Sequence, residues 1–419
     1  MPAQVEKIVD YLRSYTFDET ENLTLFPSNN TTIIEPVEIN NTQVTKFINE
    51  YWTSKQRQSS SIHEISYRAC FKAQLPRFFI QLLSSPGDLV YDPFSGRGTT
   101  VIEAGILGRR LISNDINPLS KILIEPRLSI PAIKDIITTL DAITIEKSFK
   151  ADIDLSMFYH PETEAEIVSI KNYLEEIKLS GKEDDTDRWI RMVVTNRLTG
   201  HSSGFFSVYT LPPNQAVSPA SQIKINIKRN QQPEYRDAKK IIKRKTATLM
   251  KKLNSDEIAN LIEASKSAVF IEKDARNTSE IGSNQVSLTV TSPPFLDIVQ
   301  YSKDNWLRCW FNSIDTLEIE KRMTMSKTIE EWSVIMGQVF CELYRITKPG
   351  GWVAFEVGEV RNGKINLEEY VIPLGLNAGF KCLGVIINLQ EFTKTSNIWG
   401  IKNNNSGTNT NRIALFYKE

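Results

Sequence analysis

Residues 92–100 read DPFSGRGTT and close a short apolar run that begins DLVY. Gly96 and Gly98 allow positive φ and close approach of a ligand to the backbone. Helical spacing follows in VIEAGILGRR, so free N–H groups at a helix start would point at that ligand and suit a carboxylate. A GxG turn alone also serves other nucleotide sites and plain tight turns. A phosphate loop would need GxxxxGK, and this segment has no Lys. A dinucleotide fingerprint would need a third glycine, where residue 101 is Val. Asp115 ends a second apolar run in NDINP; a carboxylate there can accept both hydroxyls of a ribose or cap a helix. Asp274 ends a third run in DAR, placed to accept an adenine amino group. Three such strand ends in a row fit an adenosyl cofactor without phosphates.

A second segment, TVTSPPF, follows another apolar strand. Pro293 and Pro294 lack a backbone N–H and fix φ, so the turn is stiff and its carbonyls remain free to accept. The Pro293 carbonyl and the Ser292 hydroxyl would hold the N–H groups of an exocyclic amine and aim its lone pair at a methyl sulfonium. Phe295 would stack on the base, which must leave a duplex to arrive there. An ordinary loop plugged by an aromatic ring is the competing explanation, and Pro-Pro also occurs at 212–213. Both segments fall at carboxyl ends of strands, where open α/β sheets bind ligands.

The elements that must position them alternate. The stretch 61–119 predicts an apolar-faced helix, strand, turn, helix and strand, which is the start of a doubly wound unit. The rhythm breaks over 120–265, with helical patterns near 131–147, 161–180, 186–197 and 234–253 around a Gly/Ser/Pro-rich stretch. It resumes in AVFIEKDAR, VSLTVTSPPF, GGWVAFEVGEV, GVIINLQEF and RIALFYK. Residues 61–119 and 266–419 therefore read as one α/β domain, with 120–265 inserted between its second and third strands. Residues 1–60 read as a polar lead-in with helical patches at 4–15 and 43–57, poised to reach over a substrate.

Apolar residues make up 41% and charged residues 24% of the 419, an ordinary globular balance. Fifty Lys/Arg balance fifty Asp/Glu, so any polyanion site must be locally basic. The cysteines at 70, 309, 341 and 382 form no CxxC pair, which argues against zinc or a disulfide framework and fits a reducing compartment. Each follows Ala, Arg, Phe or Lys rather than Pro, against a covalent cysteine route to ring-carbon methylation. The chain start lacks a signal pattern, and no stretch approaches the roughly 20 apolar residues of a membrane span. The expectation is a cytoplasmic protein of the bacterial cytosol or nucleoid, with no membrane and no metal.

DPFSGRGTT and TSPPF resemble motifs I and IV of the DNA amino-methyltransferases, which act on cytosine N4 or adenine N6. SYRACFKAQLP is similar to the motif that closes over the methionine part of the cofactor, with Phe71 and Lys72 at the matching positions. NDINP and DAR resemble motifs II and III, and TKTSNIWGIKNNNSGTNTNRIALFYK the tail of bacterial cytosine-N4 enzymes. The resemblance implies a Rossmann-like, seven-stranded, mostly parallel sheet whose last strand is antiparallel. It implies S-adenosylmethionine held by Phe71, Lys72, Asp92, Pro93, Phe94, Gly96, Gly98, Thr99, Thr100, Asp115, Asp274 and Ala275. Ser292, Pro293, Pro294 and Phe295 would carry direct methyl transfer to a base of double-stranded DNA. Ser at 292 leans towards cytosine N4, since adenine enzymes more often carry Asp or Asn there. A restriction endonuclease is the implied partner; an RNA methyltransferase and an idle cofactor-binding regulator are the other classes weighed.

The stretch 224–252 holds eleven Lys/Arg against two acids, suited to phosphates and equally to a solvated helix face. Lys228, Arg229, Lys240, Lys243, Arg244 and Lys245 are the expected DNA contacts. Phe205, Phe206 and Tyr209 would enter a groove or pack a loop. His201 reads as a loop histidine, and Trp306 and Trp310 mostly as core.

Overall fold

A computed structural model describes residues 3–16, 31–52, 60–68, 70–212, 215–294, 301–323, 326, 328–357, 359–360, 365–389 and 411–419. Its strands are β1 (Ile33–Ile39), β2 (Thr42–Asn49), β3 (Leu89–Asp92), β4 (Arg110–Asn114), β5 (Val269–Ile271), β6 (Val286–Thr291), β7 (Thr347–Val357), β8 (Glu359–Val360), β9 (Ile365–Asn366), β10 (Lys381–Asn388) and β11 (Asn411–Tyr417). Nine of them form one mixed sheet in the order β1-β2-β10-β11-β7-β6-β3-β4-β5, and β8 pairs with β9 apart from it. The sheet therefore has nine strands where seven were expected, with β1 and β2 added beyond β10. β11 runs antiparallel to both its neighbours, as the resemblance implied.

The two further strands correct the reading of residues 1–60. A helix does form over Ala3–Ser14 (α1), but the patch expected at 43–57 is strand β2 over Thr42–Asn49. β1 and β2 form a hairpin across Asn40-Asn41, both at positive φ, the signature of a tight primed turn. β2 then pairs in parallel with β10, and Asn388 seals the junction: its Oδ1 accepts from Tyr51 N at 2.7 Å and Trp52 N at 3.1 Å.

β3 is buried at every position and β6 likewise, as strands covered on both faces must be. One covering layer includes α2 (Gln74–Leu83) and α3 (Thr99–Ile106). Between β4 and β5 come α4 (Leu119–Ile124), α5 (Ile133–Ala142), α6 (Pro161–Leu179), α7 (Asp185–Arg197), α8 (Pro219–Arg229), α9 (Ala238–Met250) and α10 (Ser255–Ser265). α7 and α10 start at full capping boxes, Asp184 with Asp187 and Asn254 with Glu257. α11 (Tyr301–Phe311) and α12 (Thr316–Arg322) follow β6, and α13 (Ile329–Ile346) and α14 (Glu368–Asn377) cover the other face.

The chain lays β3, β4 and β5 outward on one side, then returns to place β6 and β7 on the other side of β3. The strand order reverses between β3 and β6, and clefts of open α/β sheets form at such points. Pairing of Tyr91 with Thr289 sets Asp92 beside the end of β6. The two segments singled out in the sequence thus emerge side by side.

Candidate active site at the β3–β6 switch point

The turn after β3 is closed by its own polar atoms. Asp92 is 2% exposed, and its Oδ1 accepts from Phe94 N at 3.1 Å and Thr291 Oγ1 at 2.6 Å. Burial pushes this carboxyl up to about 7, against the pull of its hydrogen-bond donors. Ser95 Oγ donates to Asp92 O, and Gly98 N to Ser95 O at 2.6 Å. Gly96 and Gly98 have φ of +52° and +79°. At Gly98 a Cβ would lie 2.3 Å from Ile124 Cγ1, so residue 98 must be glycine for both reasons.

Arg97, the cation of this turn, donates its Nε to Thr99 Oγ1 at 3.2 Å and turns the rest of its guanidinium to the 65–71 segment. Its Nη1 donates to Ile65 O at 2.8 Å and its Nη2 to Phe71 O at 3.2 Å, fastening the 65–71 segment across the corner. The fully buried Arg127 donates to Arg97 O, to Leu123 O and to Ile62 O. A corner whose cation already serves backbone carbonyls suits a ligand with no phosphate. Phe71 is half-buried and Lys72 exposed.

Asp115 follows β4. Its Oδ2 accepts from Gly96 N at 2.8 Å and its Oδ1 from Asn117 N at 2.9 Å, tying the β4 end to the glycine turn. Burial raises its pKa to about 6. Asp274, past β5, takes Arg276 on both oxygens at 2.9 and 2.6 Å; burial would raise its pKa, and Arg276 instead brings it below the usual value. Ala275 beside it is buried. The sequence reading passed over Asn114, which joins all three strand ends: its Nδ2 donates to Pro93 O and Lys273 O, and its Oδ1 accepts from Lys273 N.

On the other side of the switch point, Thr100 Oγ1 donates to Val290 O at 3.0 Å, a second tie between α3 and β6. Thr99 and Thr100 are buried. Ser292 is half-buried, Pro293 buried, and the Pro294 carbonyl accepts from Trp332 Nε1 at 3.0 Å. Trp332 was not foreseen; it stands on α13, far along the chain. Phe295 lies outside the described residues.

The six expected DNA contacts do not form one surface. Lys228 and Arg229 end α8 and are exposed, as are Lys240 and Arg244 on α9. Lys243 pairs with Asp141 at 2.6 Å, and Arg244 donates to Ser203 O. Lys245 is 8% exposed and pairs with Glu64 at 3.5 Å, because Ile241, Ile242, Lys245 and Leu249 share the packed side of α9. Phe205 and Phe206 are buried, so that loop packs. Trp306 and Trp310 are only half-buried, and their indole N–H groups bond Val217 O and Asp152. His201 is exposed. Among the described residues no His/Cys/Asp/Glu group could hold a metal, and no helix is long and apolar enough to cross a membrane.

Strand order and site together define a methyltransferase-like α/β fold. Residues 7–124 match the model of a DNA methylase family, the N6/N4 methyltransferases. The match takes in DPFSGRGTT and NDINP and stops short of TSPPF. The chain is 28% identical over 148 residues to Type II methyltransferase M.MjaII of Methanocaldococcus jannaschii, covering 34% of this chain and 28% of that protein. It is 37% identical over 97 residues to Type II methyltransferase M.BsoBI of Geobacillus stearothermophilus, covering 22% and 19%. The chain thus matches under a third of the length of these relatives. A Thermus thermophilus protein solved with S-adenosyl-L-methionine overlaps 35% of this chain and 53% of its own at 21% identity, with a TM-score of 0.23. By its motifs and these matches, the chain is similar over residues 7–124 to the DNA amino-methyltransferases, and S-adenosylmethionine is the cofactor that similarity supports.

Proposed function

We propose that this chain transfers the methyl group of S-adenosylmethionine to the exocyclic N4 of a flipped-out cytosine in double-stranded DNA. The observation that carries this reading is the pair of ties, Thr291 to Asp92 and Thr100 to Val290, that join the glycine corner to the Ser-Pro-Pro corner.

Bound there, S-adenosylmethionine supplies an electrophilic methyl on sulfur. Asp115 accepts the ribose hydroxyls, and Asp274 the adenine amino group beside Ala275. Backbone around Asp92, Pro93, Phe94, Gly96 and Gly98, with Thr99 and Thr100 at the start of α3, would hold the amino-acid end, with Phe71 and Lys72 beside it. Ser292 Oγ and the Pro293 carbonyl accept the amine's N–H groups and leave its lone pair facing the methyl; Pro294 stiffens the turn and Phe295 stacks on the base. Transfer is direct, and the rate comes from alignment and fixed polar acceptors. Ser292 favours cytosine N4 over adenine N6. Residues 120–265 act as the target-recognition region, with Lys228, Arg229 and Lys240 as exposed phosphate contacts and Lys243 and Arg244 reaching phosphate by exchanging their present partners. The reading places the enzyme in the cytosol beside a cognate restriction endonuclease.

Incubation with duplex DNA and methyl-labelled cofactor, followed by digestion to nucleosides, tests this. N4-methylcytosine is the expected product. Label on adenine N6 would overturn the choice of base, and label in transfer RNA alone, or nowhere, would overturn the reading.

A further inference from the structure

Helix α8 turns two of its three isoleucines outward. Its sequence, PASQIKINIKR, holds no acid, and Gln222 is its only buried residue. Ile223 and Ile227, one turn apart, are 45% and 75% exposed, next to exposed Lys224 and Lys228. A helix that served packing alone would turn these isoleucines inward. The side facing the protein carries Ile225, packed on the core, and a ladder of amides. Gln222 Nε2 donates to Tyr209 O at 3.1 Å and Asn226 Oδ1 at 2.7 Å, and Asn226 Nδ2 to Met157 O at 2.8 Å. Gln231 Nε2 adds bonds to Tyr209 O and Asn226 Oδ1. These directional bonds fix the orientation of α8 while leaving its apolar and cationic face outward. At its end the Arg229 guanidinium lies 3.7 Å from the centre of the Tyr209 ring, which holds that cation in place.

The base of α8 is linked to the site through α11. Ala216 N donates to Asp304 O at 3.0 Å, and Trp306 Nε1 to Val217 O at 3.2 Å. Arg68 pairs with Asp304 at 2.7 Å. Arg308 of α11 donates to Ser66 O and lies over the Tyr67 ring, and that ring is 3.5 Å from where a Cβ on Gly96 would sit. A continuous set of contacts therefore runs from the foot of α8 to the cofactor corner.

We infer that α8 is the element that reads the duplex next to the target base, with Lys224 and Lys228 on phosphates and Ile223 and Ile227 against apolar base edges such as the thymine methyl. This rests on the DNA reading above and names which part of the inserted region does the reading. The lysines, on a helix that itself carries no acid, supply the charge complementarity, and exposed isoleucines match the one apolar group in the major groove.

The test uses the full chain. Duplex affinity is measured against salt, and methylated sites are mapped on random-sequence DNA, for wild type, K224Q/K228Q and I223S/I227S. The lysine variant is expected to bind about tenfold more weakly and to lower the slope of log affinity against log salt by about 2. The isoleucine variant is expected to lose about tenfold of its discrimination between the preferred site and single mismatches, with cofactor affinity unchanged. Because these side chains are exposed, folding is not the confounder; a matching thermal midpoint verifies this. If wild type methylates DNA and both variants keep its salt slope and site pattern, the assignment of α8 is overturned while the enzymatic reading stands. If wild type methylates no DNA, or binds only vesicles of anionic phospholipid, the DNA reading falls and α8 with it.

Discussion

The Thr291 hydroxyl donates to Asp92 Oδ1 at 2.6 Å across 199 residues of sequence, and both side chains are almost wholly buried. The bond joins the last residue of β3 to the last residue of β6, one step before Ser292. Thr291→Val keeps the shape and leaves a buried carboxyl short of a hydrogen-bond partner. It should cost about 1–3 kcal/mol of stability and slow methyl transfer, whereas Thr291→Ser should retain both. Urea unfolding and single-turnover rates check this; a Val variant equal to wild type in both would deny the bond its role.

Asp92 also sets a pH dependence. Its carboxyl titrates near 7 in the folded protein because burial disfavours the charge, against about 3.9 in an unfolded chain. The native state therefore holds a proton that the unfolded state has released. Stability from this site is complete below about pH 4 and is lost as pH rises towards 7. Asp115, near 6, and Glu356, near 7, act in the same direction for the same reason. Asp92→Asn should flatten the fall in urea midpoint between pH 4 and 7 by up to one proton's worth of slope. An unchanged slope would contradict the burial argument.

The two glycines of the turn should differ in tolerance. A Cβ at Gly98 meets the buried Ile124 side chain at 2.3 and 2.6 Å, and φ there is +79°. A Cβ at Gly96 meets nothing closer than Tyr67 at 3.5 Å, so only the positive φ opposes it. Gly98→Ala should cost about 2–4 kcal/mol, with clash and strain together, and Gly96→Ala about 1–2 kcal/mol. Comparison of denaturation midpoints decides the order, and the reverse order would be wrong for this packing.

Trp332→Phe removes the N–H that holds the Pro294 carbonyl while keeping a buried ring. Stability should fall by about 1 kcal/mol. The rate of transfer should fall more than cofactor affinity, because the turn that loses its brace presents the amine. Calorimetric binding of the cofactor beside single-turnover kinetics separates the two effects; equal losses in both would point to a purely structural role.

What could be read from the chain follows the range of the forces involved. The β3 corner was legible because its chemistry is local: a buried run, two glycines that need positive φ, and a helix start within nine residues. The place of Asp115 after a strand was legible for the same local reason. Thr291, Asn114 and Trp332 were missed because their partners are remote; only Asn114 carried a sequence hint, as the residue before Asp115. β2 was misread as helix because Val44, Phe47 and Tyr51 recur at helical spacing, and parallel pairing with β10 outweighs that pattern. The hairpin had one local signal, Asn40-Asn41 between β-rich flanks. Lys245 was counted among solvent cations although Ile241, Ile242 and Leu249 on the same helix already marked its buried side.

The most direct measurement is a crystal structure with a non-reactive S-adenosylmethionine analogue. The account predicts the ribose on Asp115, adenine towards Asp274, and the end that carries the transferable group in reach of Ser292 Oγ and the Pro293 carbonyl. An analogue bound away from residues 92–100, or one whose reactive end points away from residues 292–294, would contradict it.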